Sequence, residues 1–297
     1  YTSASSDKVN PNTVSSASSQ DVRVYPSISW QRTDEKKGNA IGANVAVSSE
    51  YDYLSIGGGL SFYKNSKDNN RQVGVKLQTY QDVVTLIYPI EMRSGRDSGT
   101  KSRNTYNLGF TLSQIINARW QVLFLLDLAY QEGYLSLPFN RVYFDDTSAD
   151  IEKLPDTRFK IPVGVRGSYF LGDRVIIKGY YRYYHDSWGI DAHTAEVELP
   201  IKITPFFSIT PHYRYYNQTA ANYFAPYQQH QVQDKYYTSD YDLSSFSSSF
   251  AGIGFRVISP EGLFGIQKFN SLELRYGHYD RATGLVSNII SLHARFK

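Results

Sequence analysis

The 297-residue chain contains no cysteine. That excludes disulfides, thiolate metal sites, a cysteine nucleophile and, in the sequence as it stands, a lipid-anchored N-terminal cysteine. There is a single methionine. No apolar run reaches the roughly 18 residues of a membrane-spanning helix, and the mean hydropathy is negative. The net charge is only +3, from 31 basic and 28 acidic residues. No basic cluster stands out, so nucleic acid is not expected as a partner. No charged-then-apolar leader opens the chain. It begins in a Ser/Asn/Thr-rich stretch, and a targeting sequence is expected to have been removed or left out.

What is abundant is aromatic: 26 Tyr and 16 Phe. Tyrosine has an apolar ring and a polar tip, which suits a boundary between apolar and wet surroundings. A helical chain of this size would carry more Leu, Met, Ala and Glu. The balance predicts β-sheet with much interfacial surface.

The hydrophobic pattern has period two, the period of a strand. Val22, Val24, Ile28 and Trp30 share one face. Leu54, Ile56, Leu60 and Phe62 alternate with Ser55, Gly57, Gly59 and Ser61. Tyr106, Leu108, Phe110 and Leu112 alternate with Asn107, Gly109, Thr111 and Ser113. The pattern recurs through Trp120–Leu128, Phe159–Val165, Ile177–Tyr183, Ala195–Ile201 and Phe207–Tyr215, then over roughly 246–258, 270–281 and 286–296. About thirteen such segments are present, most about 10–14 residues long, a length suited to crossing a bilayer at a tilt. Tight connections such as Leu171-Gly172-Asp173-Arg174 and Asn117-Ala118-Arg119 alternate with long ones at 89–104, 133–157 and 219–243. That asymmetry is the layout of an outer-membrane barrel.

The expected fold is therefore all-β: a closed antiparallel transmembrane β-barrel over 21–297, in contact with outer-membrane lipids. Single-chain bacterial barrels have even strand numbers, which predicts about 14 strands, or 16 with upstream sequence. A further strand is sought in 1–20, in 134–144 or upstream of Tyr1. Pro26, Pro162, Pro200 and Pro211 fall inside strand patterns and are expected at bulges or strand ends. A soluble β-sandwich also alternates, but typically has fewer and shorter strands. The C-terminal alternation of Ile290, Leu292, Ala294 and Phe296 resembles the terminal strand signal of outer-membrane proteins, here with Lys297 trailing.

In a barrel the polar face turns inward. The candidate lumen-lining residues are Lys160, Arg166, Lys178, Arg182, Glu196, Glu198, His212, Arg214, Glu273, Arg275, His293 and Arg295. Both signs alternate across neighbouring strands, which suits cross-strand pairing. The run Tyr180-Tyr181-Arg182-Tyr183-Tyr184-His185-Asp186 reads either as a lumen-facing site for an anionic or aromatic ligand, or as an external aromatic girdle with Arg182 paired to Glu196 or Glu198. His185-Asp186 suggests a catalytic pair, yet no nucleophile, oxyanion hole or metal cluster accompanies it, and no enzyme activity or cofactor is expected. Gly57-Gly58-Gly59 lacks the features of a phosphate loop and more simply makes room for an inward side chain. Asp145, Asp146, Asp150, Glu152 and Asp156 sit in one long loop without EF-hand spacing and read as a solvated acidic loop. Tyr223, Phe224, Tyr227, Tyr236, Tyr237 and Tyr241 in 219–243 are candidates for a partner-binding loop or a plug.

Several ordered segments resemble the DUF3570 family. They are Tyr1 to Lys8, Ser16 to Arg23, Ser49-Glu50-Tyr51-Asp52-Tyr53, Leu112-Ser113-Gln114, Gly133-Tyr134-Leu135, Tyr180 to Trp188, and Tyr237 to Ser244. The resemblance spans most of the chain. It implies an outer-membrane barrel from Bacteroidota or other Gram-negative bacteria, with genes near a small lipoprotein and extracytosolic redox or flavin-transfer proteins. It assigns no catalytic residue. Two functions follow as expectations: a porin-like channel for small polar solutes, or a scaffold holding an outer-membrane lipoprotein or other envelope proteins.

Overall fold

The computed structural model describes residues 22–96 and 98–296. The expectations placed on 1–20 lie outside the described residues. The strands are β1 (Ser27–Asp34), β2 (Asn39–Ser49), β3 (Tyr53–Asn65), β4 (Arg71–Thr85), β5 (Thr100–Asn117), β6 (Trp120–Gly133), β7 (Arg141–Tyr143), β8 (Ala149–Ile151), β9 (Thr157–Leu171), β10 (Val175–Asp186), β11 (Asp191–Glu198), β12 (Ile201–Lys202), β13 (Phe207–Gln218), β14 (Phe246–Ile258), β15 (Phe269–Arg281) and β16 (Val286–Phe296). All but β7 and β8 form one 14-stranded sheet, in which each long strand pairs with the next one along the chain. Every ladder is antiparallel. The short β12 bridges β10 and β13.

This is an all-β fold of the outer-membrane barrel type. Long connections at 86–99, 134–156 and 219–245 gather at one end, and the turns 35–38, 66–70, 118–119 and 172–174 lie at the other. β1 and β16 stand first and thirteenth along the path and so run in the same direction; no ladder joins them among the described residues.

Burial is inverted relative to a soluble protein. Leu60, Leu77, Phe124 and Leu292 point outward and stay 60%, 54%, 50% and 66% exposed, while Ser48, Gln78 and Asp82 on the inner face are 3%, 6% and 4% exposed. Apolar surface this continuous is not left in water by soluble monomers. In lipid it is the favoured arrangement, because the antiparallel ladders already satisfy the backbone between neighbouring strands. Outward aromatics flank the band. Trp120 and Tyr169 pack at the turn end with ring centroids 4.8 Å apart. Tyr106 and Tyr130 face each other across β5 and β6 toward the loop end. Rings with a polar edge belong at such boundaries.

Three details differ from the sequence reading. The loop expected at 89–104 ends at residue 99: Thr100–Asn104 is already strand, with Arg103 opposite Asp82. That stretch is polar on both faces, so it shows no period two. The segment 134–144 supplies no wall strand; its residues 141–143 pair with 149–151 as a separate hairpin. Pro162 and Pro211 lie inside strands with no register shift, opposite Tyr184 and Ile253. Each removes one ladder donor, and the remaining bonds of long ladders hold the register. Pro26 and Pro200 do lie just outside strands.

Candidate functional site

The register fixes which side chains share the inner face. Tyr180 stands opposite Arg166 and Glu196, Glu196 opposite Arg214, and Arg214 opposite Phe250. One step nearer the turn end, Lys178 stands opposite Glu198, and Glu198 opposite His212. Asp186 stands opposite Lys160, Arg182 opposite Gly164, Glu273 opposite Arg256 and His293, Arg275 opposite Gly254, and Arg295 opposite Ser271. Since residues alternate faces, all twelve candidate lumen residues turn to the same side of the sheet as buried Ser48 and Gln78.

Pairing among them is partial. Lys178 Nζ lies 2.8 Å from Glu198 Oε1, and Arg275 Nη1 lies 3.7 Å from Glu198 Oε2. Arg275 also binds Glu273. His212 Nε2 is 3.5 Å from Glu196 Oε1. Arg166 and Arg214 instead stack on aromatic rings, 5.1 Å from the Tyr180 centroid and 5.5 Å from that of Phe250. Arg182 is not paired to Glu196 or Glu198: it stands opposite Thr194, and its Nε has no hydrogen-bond partner among the described residues. The acids it was expected to meet are held by Lys178, Arg275 and His212. Near the turn end, Lys178, Glu198, Lys202, Arg256, Glu273 and Arg275 line a recess of ≈ 290 Å³.

The wall built by β1–β5 is different. Its inner face is mostly Ser, Gly, Asn, Gln and Thr. Its main ion pair, Arg103 Nε to Asp82 Oδ2 at 3.0 Å, is self-neutralising. A Cβ on Gly57 would come within 2.7 Å of Tyr80 Cδ1, so this glycine makes room for an inward ring.

The long connections fold over the loop-end mouth as a cap. Glu152 is buried and accepts hydrogen bonds from Thr238 Oγ1 at 2.6 Å, Leu137 N at 2.7 Å and Asn140 Nδ2 at 3.2 Å. Burial pushes its carboxyl up to about 7, opposed by those three donors, while nearby Asp240 adds to the rise. His230 is buried beside it, with Nε2 2.8 Å from the Thr238 carbonyl. Arg96 pairs with Asp150 and Arg141 with Glu91, which ties the 86–99 loop to the β7–β8 hairpin. Leu154, Trp188, Ile190, Ala192 and Ala221 form its apolar core, against which inner-face Tyr184 and Tyr216 pack. The cap therefore rests on the inside rim of β10 and β13.

The aromatic loop contributes to this cap. Tyr223 packs edge-on to Trp188 and Tyr236, at 6.2 Å and 5.5 Å between centroids. Phe224 meets Tyr241 at 5.6 Å and Tyr227 meets Tyr143 at 5.1 Å. Tyr237 packs on Phe144 and donates to Asp150 Oδ2 at 2.9 Å. The acidic loop is not uniformly solvated either. Asp146 accepts from Ser148, Asp150 and Glu152 are held inside the cap, and Asp145 is exposed. His185 and Asp186 face opposite sides of the sheet. His185 Nδ1 lies 2.9 Å from Asp191 Oδ1 outside, while Asp186 is buried inside. They are not a catalytic pair.

Sequence reasoning missed Arg158, Trp188, Asn140 and Thr238. Their partners lie at strand ends and in the long connections, off the period-two pattern of the wall, so no local period marks them. The only signal was Asp186 placed at a strand end before Ser-Trp-Gly, a pattern that fits a carboxylate capping a turn.

The profile of the family described as "Protein of unknown function (DUF3570)" matches residues 3–263. No curated protein sequence matches the chain. Among solved structures, the siderophore receptor PirA from Acinetobacter baumannii superposes with a TM-score of 0.55 at 10% identity, over 93% of this chain and 48% of that one. PirA from Pseudomonas aeruginosa gives 0.51 at 10% identity, over 93% and 51%. The chain spans about half the length of these receptors. At this identity the likeness is one of fold.

Proposed function

The chain belongs to the DUF3570 family and has the fold of an outer-membrane β-barrel, and from these premises we propose that it resides in the bacterial outer membrane as a porin-like channel for small polar solutes. The observation that carries the reading is the inner face. Charged and polar side chains turn inward from the loop-end rim at Asp186 to the turn-end rim at Arg295, behind an outer face of exposed apolar residues. A barrel with this many strands encloses a lumen that side chains alone do not fill. The cap folds over the loop-end mouth and rests on Tyr184 and Tyr216, which supports a constriction at that end. A scaffold role is the weaker reading, since the aromatics of 219–243 that would have met a partner are used inside the cap.

Single-channel recording in planar bilayers tests the proposal. Purified, folded protein is expected to give stepwise currents, larger in a variant with a loosened cap such as Asp186→Ala. Absence of current from both folded proteins overturns it.

A further inference from the structure

The two walls of the lumen differ in charge, and we infer that the lumen selects anionic solutes, those bearing carboxylate or phosphate groups. The inference rests on the channel reading and names its solute class.

Six cations face inward on the β9–β16 wall without an ion-pair partner among the described residues: Lys160, Arg166, Arg182, Arg214, Arg256 and Arg295. The register spreads them along the barrel, from Lys160 opposite Asp186 at the loop end to Arg295 opposite Ser271 at the turn end. The acids of the same wall are already engaged. Asp186 is held by Arg158, Glu196 by His212, Glu198 by Lys178 and Arg275, and Glu273 by Arg275. What remains toward the lumen on this wall is positive; on the intervening β6, Asp127 also faces inward, opposite Gly109. The facing β1–β5 wall offers mainly hydroxyls and amides, the closed Arg103–Asp82 pair and one inward cation, Lys76, which meets Asp127 across Gly109. Since the whole chain is only +3, this excess is local to the lumen and is not a general basicity.

The arginines also suit the ligand chemistry. A guanidinium presents a planar fork of donors that matches carboxylate and phosphate oxygens. Stacking on Tyr180 and Phe250 holds Arg166 and Arg214 in place without using those donors. A cleft lined by one sign within low-dielectric walls concentrates the opposite ion. Arg182, whose Nε is buried with no acceptor among the described residues, stands opposite Gly164 in the same stretch of wall.

The test is the reversal potential of the folded protein in a planar bilayer under a KCl gradient, together with equilibrium dialysis of inorganic pyrophosphate against the detergent-solubilised protein at low salt. Wild type is expected to favour chloride over potassium several-fold and to bind pyrophosphate. The triple variant Arg166→Gln/Arg182→Gln/Arg214→Gln should lose most of both. The matching triple Lys variant should keep the chloride preference and bind pyrophosphate more weakly than wild type, and Arg256→Gln alone should show a smaller loss of both if the triple Gln variant does not fold. A silent bilayer with pyrophosphate binding that the Gln substitutions abolish would remove the channel reading and leave the anion-selective wall standing. Clear conductance that favours potassium, or that the Gln substitutions leave unchanged, overturns the anion inference while the channel stands. Absence of pyrophosphate binding to wild type also overturns it.

Discussion

The Arg158 guanidinium holds the buried carboxylate of Asp186, with Nε 2.9 Å from Oδ2, and so ties the barrel wall to its cap. Arg158 also lies over the Trp188 indole, 4.2 Å from the ring centroid. The same carboxylate accepts from Tyr184 Oη at 2.7 Å, Trp188 N at 2.9 Å and Ile190 N at 3.1 Å. One side chain thus orders the 187–190 turn, anchors an inner-face tyrosine and neutralises an inner-face arginine.

Replacing Asp186 with Ala leaves Arg158 and two turn amides without their acceptor. Breaking a buried ion pair by removing one partner costs roughly 3–5 kcal/mol. Asp186→Ala is therefore expected to speed hydrogen exchange at the amides of Trp188 and Ile190 and to lower the urea midpoint of the barrel. Asp186→Asn keeps an acceptor for the amides and should fall between. Wild-type exchange in Asp186→Ala would contradict this role.

Phe250 lies across the inner face on Gly277, where a Cβ would sit 2.0 Å from its Cζ. Gly277→Ala must displace the ring and with it the stacking of Arg214. Overpacking of this kind costs about 1–3 kcal/mol. Adding Phe250→Leu should recover part of the loss, so the two substitutions will be non-additive in urea unfolding. Additive losses would contradict the contact.

The cap should respond to pH through Glu152. Burial raises its carboxyl from 4.5 to about 7, so folding favours proton uptake between those values. Cap stability is then highest with the group protonated and falls as pH rises through the window, by about 3 kcal/mol if fully expressed. Asp240, also raised by burial, acts in the same direction. Glu91, lowered by its hydrogen bond from Arg141, acts oppositely at more acid pH. Asp150 does too: despite burial it is lowered, by Ile151 N–H, Tyr237 and Arg96. Hydrogen exchange over 134–156 and 219–245, corrected for intrinsic rates, should show more protection at pH 5 than at pH 8. Glu152→Gln should flatten that difference, and an unchanged pH profile in the variant would assign it to another group.

The wall was legible in the sequence because its code is local. Leu292 and His293, or Val165 and Arg166, differ in face by one residue, and period two reports that directly. Strand length, loop asymmetry and tyrosine content then implied a barrel. The cap was not legible, because its bonds join residues far apart: Thr238 and Glu152 are separated by 86 positions, Tyr237 and Asp150 by 87. Exposed-looking tyrosines in a polar loop carry no sign of folding onto one another. Nor does alternation reveal which acid each lumen cation meets. Glu198 serves two strands, and this left Arg182 without the partner its position suggested.

The central claim is that the outer face lies in lipid and the cap outside it. Tryptophan quenching by brominated phospholipids tests it most directly, since the chain has three Trp. Trp120 is 44% exposed on the outer face, whereas Trp188 is 3% exposed within the cap. Single-Trp variants reconstituted in vesicles should show Trp120 strongly quenched by acyl-chain bromine and Trp188 unaffected. Trp120 quenched by aqueous acrylamide but not by bromolipid would contradict the account.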